Sequence, residues 1–399
     1  MIWPVLLLSA LACTHSESFV APTNTCVGPF GTGPDVQLTF NVDQDYWPAW
    51  TQDGRGILYA FVDAESALPP YHRCLGLLPP AGGTRSWQLC DNRAVRDGIA
   101  SSYPAFALDS GGRLLVAEAT APTAFGQSPS VTLWLADTAR PYARTTLLSL
   151  PQTVSGFTVT WLSDIAWTSA NTFIALGQQF NSLPHCDACL CSPCPRDSIW
   201  GDGGIVLSGT IVGNTATLQA VPGTDSATSY SLAENGTSVI FTRHHDLRLF
   251  KVPIDGGTPV PAPVRRTVPD TGSLFTAELA GVSCKGSTCI VANDGVFLTD
   301  AYSAPFAPAF PCLRSNPCQL FAGFASATMQ LQSISLATGV VQLVQTDVAA
   351  LSQVYASPKI SPVSGDVVVQ RGGVWGHLQT YATPGRGNGH LHLLKGVVP

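Results

Sequence analysis

The feature that most restricts how this chain can fold is a hairpin motif that recurs along its length. Its clearest copy is Asp45-Tyr46-Trp47-Pro48-Ala49-Trp50-Thr51-Gln52-Asp53-Gly54-Arg55-Gly56-Ile57-Leu58-Tyr59. A second is Ser102-Tyr103-Pro104-Ala105-Phe106-Ala107-Leu108-Asp109-Ser110-Gly111-Gly112-Arg113-Leu114-Leu115-Val116. Both run aromatic-Pro-Ala-aromatic, then a polar Asp/Gly cluster, then Arg and an apolar strand. The Asp and Gly residues permit a tight turn, and the apolar runs beside it are long enough only for buried strands.

Weaker copies occupy residues 164–175, 229–241, 282–291 and 357–369. With Trp50, Phe106, Trp167, Tyr230, Val282 and Ile360 taken as equivalent, the spacings are 56, 61, 63, 52 and 78. Further strand signals follow each copy. Residues 73–90, 205–221 and 331–344 read as hairpins, and Leu249 to Gly257 as a strand entering a turn. Short strands in fours, repeated, with no helical pattern between them, predict an all-β, six-bladed β-propeller. The 78-residue spacing leaves seven blades as an alternative, or an insertion near 303–325 that carries Cys312 and Cys318. A β-sandwich also uses many short strands, but it has no reason to repeat one hairpin. Composition agrees: 37 Gly and 31 Pro in 399 residues exclude a helical bundle.

Pro48-Ala49-Trp50-Thr51-Gln52-Asp53-Gly54-Arg55-Gly56-Ile57-Leu58-Tyr59 resembles the Pro-x-Trp-Ser-Pro-Asp-Gly-Lys/Arg-x-Ile-x-Phe repeat of TolB-like β-propellers, with Thr51-Gln52 in place of Ser-Pro. Leu249 to Gly257 resembles the strand and Asp-Gly-Gly turn that follow it in that family. The resemblance covers residues 36–395 and implies the fold together with a periplasmic or cell-surface setting. Fold does not name a function. To close a ring, the alternating segment Val36 to Val42 could supply the outer strand of the last blade, or Gly389 to Leu394 could close that blade alone.

The first residues, Met1 to Ala12, form an apolar run much shorter than the roughly 20 residues of a membrane span, ending in small residues. They read as a signal peptide, and Ala10-Leu11-Ala12-Cys13 resembles a lipobox with Cys13 as the lipidated residue. An ordinary cleaved signal is the alternative. Residues 13–35 read as a lipid-tethered linker rich in Ser, Thr, Gly and Pro, and 36–399 as the propeller. The expected location is periplasmic, or on the outer membrane or cell surface, with a lipid anchor as the sole membrane attachment.

Cysteine usage fits export. A Gly286-Ser287 turn pairs Lys285 with Thr288, and places Cys284 opposite Cys289. Cys74 and Cys90 are symmetric about Gly82, and Cys312 and Cys318 bracket a Pro-containing loop. All three pairs are expected as disulfides. Cys186, Cys189, Cys191 and Cys194 lie in a Cys-rich insertion at 185–197 beside His185. Their spacing suits zinc or an iron–sulfur cluster, but in an exported protein two disulfides are the expectation, and redox chemistry a further alternative. Cys26 has no evident partner.

No catalytic constellation emerges. The G-x-S-x-G elbow, the P-loop and the dinucleotide fingerprint are absent. His244-His245 reads as a hairpin tip. His390-x-His392 puts both rings on one face of a strand, which suits a metal, but without an acidic neighbour it reads as edge-strand polarity. Asp43-x-Asp45 could help hold calcium near the channel; turn formation is the plainer role. The net charge of -6 gives no reason to expect nucleic acid as a partner. Propellers bind where their inner strands converge, so Tyr46, Trp47 and Tyr103 are candidate rim residues, unless Trp47 and Tyr103 pack between blades. The expected function is a non-enzymatic, cofactor-free scaffold for an envelope protein or glycan. The alternative is a lactonase or other hydrolase with Ca or Zn on the channel axis.

Overall fold

The computed structural model describes residues 35–39, 45–63, 72–90, 101–120, 130–179, 203–243, 246–262, 278–298, 324–349, 355–371 and 390–398. Among them the only helical element is the single turn Glu234–Gly236. The strands form four four-stranded sheets, a short ribbon and one eight-stranded sheet. The eight-stranded sheet is two units joined at the lone pairing of Gly204 with Ala227.

Blade I comprises Asp45–Trp50, Ile57–Asp63, His72–Leu78 and Trp87–Cys90. Blade II comprises Ser101–Leu108, Arg113–Thr120, Ser130–Asp137 and Arg140–Ser149. Blade III comprises Trp161–Trp167, Thr172–Gln178, Gly204–Val212 and Thr215–Ala220. Blade IV comprises Ala227–Ala233, Ser238–Arg243, Asp246–Pro253 and Val260–Pro261. Blade V comprises Glu278–Lys285, Thr288–Leu298, Phe324–Ser335 and Val341–Ala349. Blade VI comprises Tyr355–Ile360, Val367–Arg371, His390–Leu394 and, from the other end of the chain, Asp35–Gln37.

The first strand of each blade packs on the blade before it, and Asp45–Trp50 of blade I packs on blade VI. The blades therefore close into a ring, a β-propeller, in which blade III stands opposite blade VI. Between residue 282 and the first strand of blade VI the described strands make one sheet, so the long spacing holds no further described blade.

Every inner strand carries a register shift: Tyr46/Ala49, Ser102/Ala105, Ser163/Ala166, Ala227/Ser229, Leu279/Gly281 and Ala356/Lys359. Pro48, Pro104 and Pro358 sit in these bulges, where a residue without an N–H costs no ladder bond. Trp47, Asp164 and Ser357 have φ of 54°, 52° and 50° there. That left-handed backbone is strained for non-glycine residues.

Trp50, Phe106, Trp167, Tyr230, Val282 and Ile360 each lie one residue beyond the bulge. Each joins an apolar cluster shared with the preceding blade. The residues before them are Ala49, Ala105, Ala166, Ser229, Gly281 and Lys359. All but Lys359 are small, which lets the next inner strand approach. A Cβ at Gly281 would stand 2.9 Å from Pro358 Cδ of blade VI.

The ring closes through the N-terminal strand. Asp35, Val36 and Gln37 pair with Leu394, Leu393 and His392. Leu38 N donates to Leu391 O at 2.7 Å, and Leu391 N donates to the Thr39 hydroxyl at 2.9 Å. Val36 and Leu38 are buried. His390–Leu394 is thus an interior strand rather than the edge. Burial, and then the charge of His392, push the His390 imidazole down to about 4.

Two disulfides staple hairpins. Cys74 faces Cys90 in blade I and Cys284 faces Cys289 in blade V, with Cα–Cα distances of 4.2 and 4.0 Å. The remaining expectations on Met1 to Ala12, Cys13, Cys26, Cys186, Cys189, Cys191, Cys194, Cys312, Cys318, Asp43 and His244-His245 lie outside the described residues.

Candidate functional site

Apart from Ala227, which pairs with Gly204 of blade III, the axial edges of the inner strands have no further strand to pair with, and their N–H groups need acceptors. Serines of the preceding blade supply several. Ser229 Oγ accepts from Val282 N at 3.1 Å, Ser231 Oγ from Cys284 N at 2.8 Å, and Ser283 Oγ from Ile360 N at 2.9 Å. Aromatic donors tie the ring in the other direction. Trp50 Nε1 donates to Lys359 O at 2.9 Å, from blade I back to blade VI. The Tyr230 hydroxyl donates to the carbonyl oxygens of Asp164 and Ile174, from blade IV back to blade III. Burial, with the Asp164 charge as a smaller contribution, holds the Tyr230 phenol well above its ordinary value.

Among the described residues an ion pair crosses the ring. Lys359 occupies the position that is Ala, Ala, Ala, Ser or Gly in the other blades, and its ammonium meets the carboxylate Oδ1 of Asp164. Lys359 belongs to blade VI and Asp164 to blade III, which stand opposite one another. The two side chains are 22% and 29% exposed. Asp164 sits in the bulge at positive φ, fixed from behind by Tyr230 through its backbone oxygen. The chemistry available is exchange: an anion can take the place of Asp164 at Lys359, and a cation that of Lys359 at Asp164.

The aromatic residues expected at the rim are placed differently. Tyr103 is 1% exposed, packed with Leu58, Ala60 and Phe106 in the core between blades I and II; that burial corrects its assignment to the rim. Trp47 is half-buried against the same cluster. The strand Asp45–Trp50 carries Tyr46, whose side chain lies outside the described residues. Asp45 is fully buried, and its charge adds to the burial that pushes the phenol of Tyr59 up. The acidic neighbour that His392 lacks in sequence is Asp35, whose Oδ1 lies 2.8 Å from His392 Nδ1. Among the described residues, no three His, Cys, Asp or Glu side chains gather as metal ligands.

Lys359 and Asp164 were not singled out by motif. The signal for one of them is present in the repeat: Ser357-Pro358-Lys359-Ile360 is the copy with a charge at the otherwise small position. Asp164, 195 residues away, has no such signature.

No family model matches the chain, and no curated protein does either. Solved structures do match. Phage phi92 endosialidase is 10% identical over 92% of this chain and 70% of its own, with a TM-score of 0.52. Regucalcin from Agrobacterium tumefaciens is 13% identical over 88% of this chain and 89% of its own, with a TM-score of 0.44. TolB from Acinetobacter baumannii is 12% identical over 80% of this chain and 58% of its own, with a TM-score of 0.41. The likeness to the endosialidase, at a TM-score of 0.52 and 10% identity, is one of architecture alone.

Proposed function

We propose that the chain is an exported, lipid-anchored propeller that serves as a binding scaffold for a protein or glycan of the cell envelope. Cys13 is its membrane attachment, and nucleic acid is not a partner. The observation that supports this reading is the route of the N-terminus. Asp35–Gln37 forms the outer strand of blade VI, so a tether ending there reaches the rim of the disc and leaves both faces accessible. The serine, tryptophan and tyrosine ties between blades make that disc a rigid platform, which limits the ordering cost of binding.

The test has two parts. Cells fed an alkyne-tagged fatty acid should label the chain, and Cys13→Ser should abolish the label and release the protein from membranes. The purified body should then bind saturably to a glycan array or to a purified envelope protein. A chain that is unlabelled in either form, or that turns over lactones or glycosides with Ca or Zn added, overturns the reading.

A further inference from the structure

We infer that Lys359 and Asp164 form a latch across the propeller axis, which shuts the channel and holds opposite blades in register. Three observations carry it. The partners come from blades that do not touch one another through their sheets, so the pair is a direct tie across the ring. Lys359 replaces a small residue at a position where the others are Ala49, Ala105, Ala166, Ser229 and Gly281. Its long side chain is therefore not part of the close strand approach used elsewhere. It is free to extend over the axis, while its backbone oxygen is held by Trp50.

Asp164 is the third observation. It is presented by a bulge with φ of 52°, a conformation that costs energy in a non-glycine residue and aims the carboxylate off the sheet. Tyr230 fixes the same residue from the neighbouring blade. Both ends of the latch are thus braced by an aromatic donor bonded to a backbone oxygen, so the charges are held in place from behind. An occupant of the axis must offer Lys359 an anion or Asp164 a cation in exchange.

Hydrogen exchange on the full chain tests this, because a latch transmits across the ring and a local packing contact does not. Lys359→Met should speed exchange in residues 161–167 of blade III about fivefold, the factor that ~1 kcal/mol of ion-pair energy gives. Asp164→Asn tolerates the same backbone and should do the reverse, speeding exchange in residues 355–360. The double variant should add nothing beyond either single one, and Lys359→Arg should keep the slow rate. Exchange changes confined to the mutated blade and its neighbours, or single effects that add, would overturn the latch.

Discussion

The inner hairpins of blades I and II carry the most similar stretches of the sequence, yet they are wired differently. In blade I, Thr51 N donates to Gly56 O at 2.9 Å; in blade II, Asp109 N donates to Arg113 O at 3.1 Å. Those bonds make Thr51 equivalent to Asp109, and Gly56 equivalent to Arg113. The hydroxyl of Thr51 takes the N–H of Gly56 at 2.9 Å, as the carboxylate of Asp109 takes the N–H of Arg113 at 2.8 Å. What differs is the side chain beyond. Arg113 Nε lies 2.6 Å from Asp109 Oδ2. Its guanidinium donates to Ala170 O and stacks 5.0 Å from the Trp167 ring of blade III. Gly56 has nothing to extend. Asp53 and Arg55 of blade I look like the same pair in sequence, but Arg55 is 89% exposed and 3.8 Å from Asp53. The blade I turn reaches blade II through its backbone alone, Gln52 N donating to Leu108 O at 3.2 Å, whereas the blade II turn clamps blade III with a side chain.

The sharpest way to break this contrast is to remove the carboxylate that organises the clamp. Asp109 is 8% exposed and accepts from Gly111 N, Arg113 N and Arg113 Nε. Asp109→Ala leaves these donors without their acceptor and should cost ~3 kcal/mol, read as a lower urea midpoint with an unchanged slope. Blade I offers the converse test. A Cβ at Gly56 would stand 2.7 Å from Leu77 Cδ1 and 3.2 Å from Thr51 Cγ2. Gly56→Arg should therefore cost ~2 kcal/mol in the same measurement rather than create a second clamp. Arg113→Lys comes next, at ~1 kcal/mol. The ammonium keeps the charge but loses the fork that bonds Asp109 and Ala170 together, and much of the stacking on Trp167.

The same contrast separates what was legible in the sequence from what was not. The six residues aligned across the repeats all lie one step past an inner-strand bulge, because a propeller imposes one local environment on that position in every blade. The hairpins stapled by Cys74–Cys90 and Cys284–Cys289 were legible for a similar reason, since one register is symmetric about Gly82 and the other follows from the two-residue turn Gly286-Ser287. Pairings set by ring closure were not legible. Asp35 meets His392 only because the chain ends come together, and Lys359 meets Asp164 only because blades III and VI face each other. Tyr103 misled because an aromatic before proline suits both a rim and a core, and burial alone separates the two. Asp53 misled in another way. Its Asp/Gly cluster followed by Arg reads like that of blade II, while the equivalent role belongs to Thr51.

Asp53 gives the smallest effect, and its pH dependence shows how local the bonds of its carboxylate are. Partial burial works against its charge, but bonds from the Thr51 hydroxyl at 2.7 Å and the Arg55 N–H at 3.0 Å, with the Arg55 charge, hold its carboxyl below the ordinary value. The folded state therefore prefers the ionised form. Its contribution is fully present above the unfolded value near 4 and is lost as pH falls through the lower folded value. Asp53→Asn cannot titrate. It should lie within ~0.5 kcal/mol of the parent at pH 6, a small deficit that narrows toward about pH 3. Urea midpoints for both proteins at the two pH values measure it. A deficit as large as that of Asp109→Ala, or one that persists unchanged at pH 3, would mean that Asp53 also reaches beyond its own turn and that the two hairpins are wired alike.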